Sequence, residues 1–207
     1  MPKLIKGMKA LQVLKATPKV LPPVFLWRLH CLHKPEPIHI AIQMQAALGL
    51  RAAHFVMLKR HNFWVKSVLL PPFKKRTSST LLPTDHIPPA LLEAYFKLQP
   101  ASSPPSSVIL PFWTPAQYKQ KFTNATRALG LNHATHSARH TFASIQAAKG
   151  TPRGTLAAYL LHYDDKTTGI YVHELSPEDL RCVLEHPEYF RTCSMLLPPA
   201  ARPKVVN

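Results

Sequence analysis

Between Thr135 and His173 the chain gathers residue types suited to chemistry at a phosphate. Arg139 stands between His136 and His140, His162 follows, and Tyr171 closes the group. An arginine stays charged at all relevant pH and offers a planar fork to two phosphate oxygens. Imidazoles exchange protons near neutrality, and a phenol becomes a nucleophile when its surroundings favour loss of its proton. The intervening pattern is helical except at Gly150-Thr151-Pro152. There glycine suits the position after a helix end, Thr151 suits a cap, and Pro152 suits a first helical position. The spacing therefore predicts one helix carrying His136, Arg139 and His140, a second ending near His162, and a third short segment presenting Tyr171.

Metal chemistry is the rival for His133, His136, His140 and His162. His136 and His140 are four apart and share a helix face, as zinc ligands do. No glutamate follows His136, however, and no carboxylate lies between His133 and His162. Phosphate chemistry without a metal or other cofactor is the preferred reading. Cys31, Cys182 and Cys193 are too widely spaced to announce a disulfide framework or a zinc site. They read as buried or incidental thiols in a reducing compartment.

The elements that must position these groups are legible in outline. After Pro35 and Pro37, residues 38–48 read as a buried helix stopped by Gly49, with Arg51 directly beyond it. Residues 52–60 read as a short helix with Phe55, Val56 and Leu58 inward. Residues 63–70 and 79–84 have strand composition, joined by a basic turn holding Lys74, Lys75 and Arg76. Residues 88–98 read as an amphipathic helix, and 100–107 as a loop within the domain. Thr114-Pro115-Ala116-Gln117 is a capping-box start for a helix to about residue 129, and Ser176 opens a last helix to about residue 185. The organisation expected is a basic arm over 1–23, a catalytic domain over 24–175, and a C-terminal helix and tail over 176–207.

Composition narrows the partners. Lys and Arg number 26 against 10 acidic residues, a net charge of +16 that argues for a polyanion. No apolar run approaches the roughly 20 residues needed to span a bilayer, and the basic residues are scattered through the chain, so DNA is favoured over a membrane. With 46% apolar residues over 207, there is material for one well-packed domain. The N-terminus lacks a signal-peptide core, so secretion is not expected.

His136-Ser137-Ala138-Arg139-His140-Thr141, Gly150-Thr151-Pro152, Leu160-Leu161-His162 and Thr167-Thr168-Gly169-Ile170-Tyr171-Val172-His173 resemble, in order, the catalytic signature of the tyrosine recombinases, the phage-integrase family. That signature runs His-x-x-Arg-His-Thr, Gly-x-Pro, Leu-Gly-His and Thr-Thr-x-x-Tyr-x-His. The resemblance is closest over 135–173 and looser over 48–139. It implies an α+β fold, mainly helical with a small antiparallel sheet, the DNA breaking-rejoining catalytic fold. It implies that Arg51, after Leu48-Gly49-Leu50, joins Arg139 on the scissile phosphate. It also implies that His136 and His162 donate hydrogen bonds or accept the tyrosine proton, and that Tyr171 attacks. Lys75, with Lys74 as the adjacent alternative, would protonate the departing 5′-oxygen. The product implied is a 3′-phosphotyrosyl bond, rejoined without ATP.

Three departures from the pattern are visible. His54 stands where the family usually has an acid, Leu161 replaces the glycine before the histidine, and Ser137-Ala138 replaces Asp-Leu. Family members also place a separate helical DNA-binding domain ahead of the catalytic one, where this chain has residues 1–23. The expectation is a site-specific recombinase (integration, excision or inversion) acting as a dimer or tetramer on double-stranded DNA. The tail would dock on its own domain or a neighbouring protomer. The alternatives are a weak or inactive DNA-binding remnant of a mobile element, and a type IB topoisomerase-like enzyme. The compartment expected is the cytoplasm in a prokaryotic or viral setting and the nucleus in a eukaryotic one.

Overall fold

The structure is a computed structural model that describes residues 20–72, 79–162 and 165–193, the side chains of 165 and 166 excepted. The expected basic arm therefore lies almost wholly outside the described residues, as do Lys74 and Lys75. The described helices are α1 (Pro23–His30), α2 (Pro37–Leu48), α3 (Ala52–Phe55), α4 (Pro89–Phe96), α5 (Pro115–Ala128), α6 (His136–Ala148), α7 (Arg153–Tyr159), α8 (Asp165–Gly169) and α9 (Pro177–Glu185). Strands β1 (Phe63–Trp64), β2 (Ser67–Leu70) and β3 (Thr80–Pro83) form one antiparallel sheet in that order. This is the mainly helical α+β architecture expected from the sequence.

Helix α2 is the core element. Ile38, Ile40, Ala41, Ile42, Met44, Ala46 and Leu48 are all buried, the mark of a helix covered on every side. It packs against α1, α4, α5 and α6. Its two buried glutamines are satisfied by hydrogen bonds, as buried amides must be. Gln45 Nε2 donates to the carbonyls of Leu50 (2.9 Å) and Thr135 (3.2 Å), and its Oε1 accepts from Tyr118 (2.7 Å). Gln43 Oε1 accepts from the Tyr189 hydroxyl at 2.9 Å. The helix ends at Gly49, whose φ of 63° lies in the left-handed region. A Cβ there would meet the Phe142 ring of α6 at 2.7 Å, so the end of α2 and the face of α6 meet where only glycine fits.

Residues 63–70 form a hairpin instead of one strand. The register pairs Phe63 with Val68 and Trp64 with Ser67, leaving Val65 and Lys66 as a two-residue turn. Parity explains this. In a straight strand Phe63 would face away from Val68 and Leu70, whereas the turn returns it to their face. Val65, at the tip, is 96% exposed. Helix α3 is also shorter than the 52–60 reading. Beyond it Lys59 forms an isolated bridge with Val108, and Ile109 N–H donates to Leu58 O at 2.9 Å, so this stretch is drawn into extended pairing. Phe55, Val56 and Leu58 do point inward.

The caps follow the sequence closely. Thr114 Oγ1 accepts from Gln117 N–H (3.2 Å) while Gln117 Oε1 accepts from Thr114 N–H (2.9 Å), a reciprocal capping box. Ser176 Oγ accepts from Asp179 N–H at 3.1 Å. At α7 the boundary falls one residue later than expected: Pro152 is the cap and Thr151 makes no capping bond. The segment after α8 packs on this chain's own helices. Helix α9 lies against α1, the Asp179 carboxylate accepts from Val24 N–H (3.2 Å), and His186 stacks on Trp27 with ring centroids 3.7 Å apart. Val183, Tyr189 and Phe190 are buried there.

Candidate active site

Arg139 projects from the first turns of α6 into the space between the ends of α2 and α7, and is only 2% exposed. Its Nη1 donates to the Gly49 carbonyl at 2.8 Å, and its Nη2 donates to the Leu160 carbonyl and to His162 Nε2 (2.8 Å). Both carbonyls belong to helix C-termini, where partial negative charge favours a cation. Nη2 thus commits both hydrogens, and the buried Nε–H has no hydrogen-bond partner. Burial, and then the charge of Arg51, pull the Arg139 pKa down to about 10, with Tyr171 opposing. The guanidinium remains cationic at neutral pH.

His162 owes its place to the end of α7. His162 N–H bonds Ala157 O (2.9 Å) and Leu161 N–H bonds Ala158 O (3.1 Å), the two bonds of a Schellman motif. The motif needs a left-handed residue at its centre, and Leu161 supplies it with φ 58°. The glycine that the family pattern places there is thus explained by backbone geometry, and this chain carries leucine at a strained position. Because Nε2 accepts from Arg139, the ring proton sits on Nδ1, which donates to Thr168 Oγ1 at 2.8 Å. Thr168, fully buried, was visible in the sequence as part of Thr167-Thr168, but nothing local disclosed its partner.

Tyr171 lies two residues beyond α8, half-buried over this cluster. Its ring centroid is 4.6 Å from that of His140, 4.9 Å from that of His162, and 5.2 Å from Arg139 Cζ. His140 stacks on the tyrosine ring. His140 also bonds His173 through Nδ1···Nε2 at 3.0 Å, and His173 N–H donates to Ser144 Oγ at 2.9 Å. The phenol ring packs against imidazoles from α6 (His140) and from the end of α7 (His162).

Arg51 caps α3 and is half-exposed. Its charge reaches both Arg139 and His136 and, after burial, helps lower each pKa. His136, exposed at the start of α6, is held below the usual histidine range by partial burial first, then by Arg139, Arg51 and Lys119. Of the six expected residues, Arg139, His162 and Tyr171 are in contact, and Arg51 and His136 lie within electrostatic reach of Arg139. The sixth, Lys75, lies outside the described residues. The four histidines weighed as zinc ligands do not share a centre. His133 pairs with Ser137 Oγ (3.1 Å), His140 with His173 and His162 with Thr168.

Residues 29–177 match the model of the phage integrase family. No curated protein matches the chain. Among solved structures, the fold is similar to XerA recombinase, with a TM-score of 0.65 at 17% identity over 83% of this chain and 65% of that one. It is similar to XerH site-specific recombinase bound to palindromic difH substrate in a post-cleavage complex, with a TM-score of 0.58 at 19% identity over 81% and 52%. A lambda integrase tetramer bound to a Holliday junction gives 0.55 at 14% identity over 73% and 46%. The chain spans about half to two thirds of the length of these structures. At such identities the likeness is one of fold.

Proposed function

Because the chain belongs to the phage integrase family, we propose that it cuts and rejoins double-stranded DNA at specific sites through a covalent bond between Tyr171 and a 3′-phosphate. What supports the proposal is the contact of Arg139, His162 and Tyr171, with Arg51 and His136 within electrostatic reach of Arg139. Tyr171 Oη attacks phosphorus, the bond to the 5′-oxygen breaks, and the 5′-oxygen leaves with a proton. Lys75, between β2 and β3 in the sequence, is our candidate donor of that proton. Attack adds a second negative charge to the phosphate, and the guanidiniums of Arg139 and Arg51 would oppose that growth without a metal.

We assign the tyrosine proton to His136 in preference to His162. His162 uses Nε2 on Arg139 and Nδ1 on Thr168, whereas His136 is exposed, its pKa lowered by partial burial and then by Arg139, Arg51 and Lys119. The buried Arg139 Nε–H is a donor waiting for an acceptor, a role one phosphate oxygen fills. Tyr171 lies across that guanidinium, so DNA entry requires the ring to slide aside before it attacks. Recombination implies several protomers on one DNA site, and the tetramer seen for lambda integrase is the arrangement we carry over. Integration, excision and inversion share this chemistry.

The burial of Arg139 beneath Tyr171 favours a second reading, a DNA-binding protein without strand cleavage. A nicked suicide substrate separates the two. The proposal expects a covalent protein–DNA adduct with the wild-type chain that disappears in Tyr171→Phe while DNA binding persists. No adduct, or one that survives Tyr171→Phe, overturns it. Relaxation of supercoils without site preference would assign the chain to topoisomerase chemistry instead.

A further inference from the structure

Away from Arg139 and Tyr171, the loop between β3 and α4 meets the end of the described chain. Asp85 and His86 from that loop and Cys193 from the C-terminal segment place a carboxylate oxygen, an imidazole nitrogen and a thiol sulfur all within 4.8 Å of one another. His86 is 4% exposed and Cys193 fully buried. His86 Nε2 lies 2.8 Å from the Ala47 carbonyl, which only accepts, so the ring proton is on Nε2 and the lone pair on Nδ1. Nδ1 is buried, has no hydrogen-bond partner, and faces Asp85 Oδ1 at 4.0 Å. The buried Nδ1 is thus aimed at the carboxylate edge of the cluster.

We propose that Asp85, His86 and Cys193 bind a zinc ion that clips the C-terminal segment onto the loop ahead of α4. Zinc takes sulfur, nitrogen and oxygen donors at about 2.0–2.3 Å, which puts neighbouring donors roughly 3.3–3.8 Å apart in a tetrahedron. The present cluster needs only a small contraction to reach that. A thiolate with an imidazole selects zinc over magnesium or calcium. The Nε2–H bond to a backbone carbonyl is the outer support that orients a metal-bound imidazole. Loading releases the Cys193 thiol proton to solvent, and the resulting thiolate and carboxylate balance the ion's two charges against the nearby Arg191 and Lys149. Asp85, 26% exposed, gives the entry side and leaves the fourth position to water. The wide cysteine spacing concealed this centre because its other two ligands are not cysteines.

The test uses the full chain, dialysed and then titrated with Zn²⁺ or Co²⁺. The expected result is one ion per chain, a thiolate-to-cobalt charge-transfer band, and affinity that rises with pH. Cys193→Ser should lose the band and His86→Gln should weaken binding at least 10-fold, while Cys31→Ser and Cys182→Ser bind as wild type. Zinc should raise the Tm of wild type but not of Cys193→Ser. Absence of stoichiometric binding overturns the proposal, as does a band that persists in Cys193→Ser. Should the variants fail to fold, zinc-edge absorption on the wild-type chain still decides, because a first shell without sulfur rejects the site.

Discussion

Gly49→Ala tests the link between fold and site most directly. Two costs follow from the geometry. At φ 63° an alanine sits in the left-handed region, at roughly 1–2 kcal/mol. Its methyl group would lie 2.7 Å from Phe142 Cδ1 and 2.8 Å from Phe142 Cγ, well inside contact distance. Phe142 cannot easily retreat, being buried and stacked on Tyr159 with ring centroids 4.9 Å apart. Overpacking of this kind costs about 1–3 kcal/mol, for a total of about 2–5 kcal/mol. In a chain of this size each kcal/mol moves Tm by about 2–4 °C, so the expected fall is about 4–20 °C. Gly130→Ala is the control: its φ is 78°, but nothing lies within 4 Å, so only the backbone cost of about 1–2 kcal/mol applies. The assay is thermal unfolding of both variants, with Phe142→Leu added to complete a double-mutant cycle. Equal costs for Gly49→Ala and Gly130→Ala, or no relief from Phe142→Leu, refute the packing argument. Cleavage should suffer too, since the Gly49 carbonyl holds Arg139 Nη1 at 2.8 Å.

Other expectations rest on single contacts. Thr168→Val keeps the shape but removes the Thr168 hydroxyl that accepts from His162 Nδ1–H, at about 1–3 kcal/mol; adduct formation should slow at least 10-fold while DNA affinity, read by gel shift, holds. Thr114→Ala removes the α5 capping box and should cost about 1 kcal/mol without altering cleavage, read by denaturant unfolding and the adduct assay. His133, buried and held below the usual histidine range by that burial, binds its proton more readily when unfolded. Stability should therefore fall as pH drops below about 6.5, by at most about 1.4 kcal/mol per pH unit for this one proton. His133→Gln should flatten that slope in urea titrations from pH 7.5 to 5.5.

The sequence by itself determined the groups whose order is local. The helix carrying His136, Arg139 and His140 was legible because helical spacing fixes which side chains share a face. The α5 and α9 starts were legible because Thr114 and Ser176 bond their own helices three residues on, and Gly49 marked a helix end. Tyr171 was legible from the short-range motif around it. Interactions that span long stretches of chain were settled by tertiary packing alone. No local pattern reports that Arg51 approaches Arg139, that two helix-terminal carbonyls fork the guanidinium, or that His140 pairs with His173 over the tyrosine ring. Nor does one report that Cys193 reaches Asp85 and His86. Residues 63–70 had strand composition throughout, yet fold back at Val65-Lys66 because one buried face must receive Phe63, Val68 and Leu70 together. Composition fixes what a segment prefers; which surface it meets is decided only when the rest of the chain has closed around it.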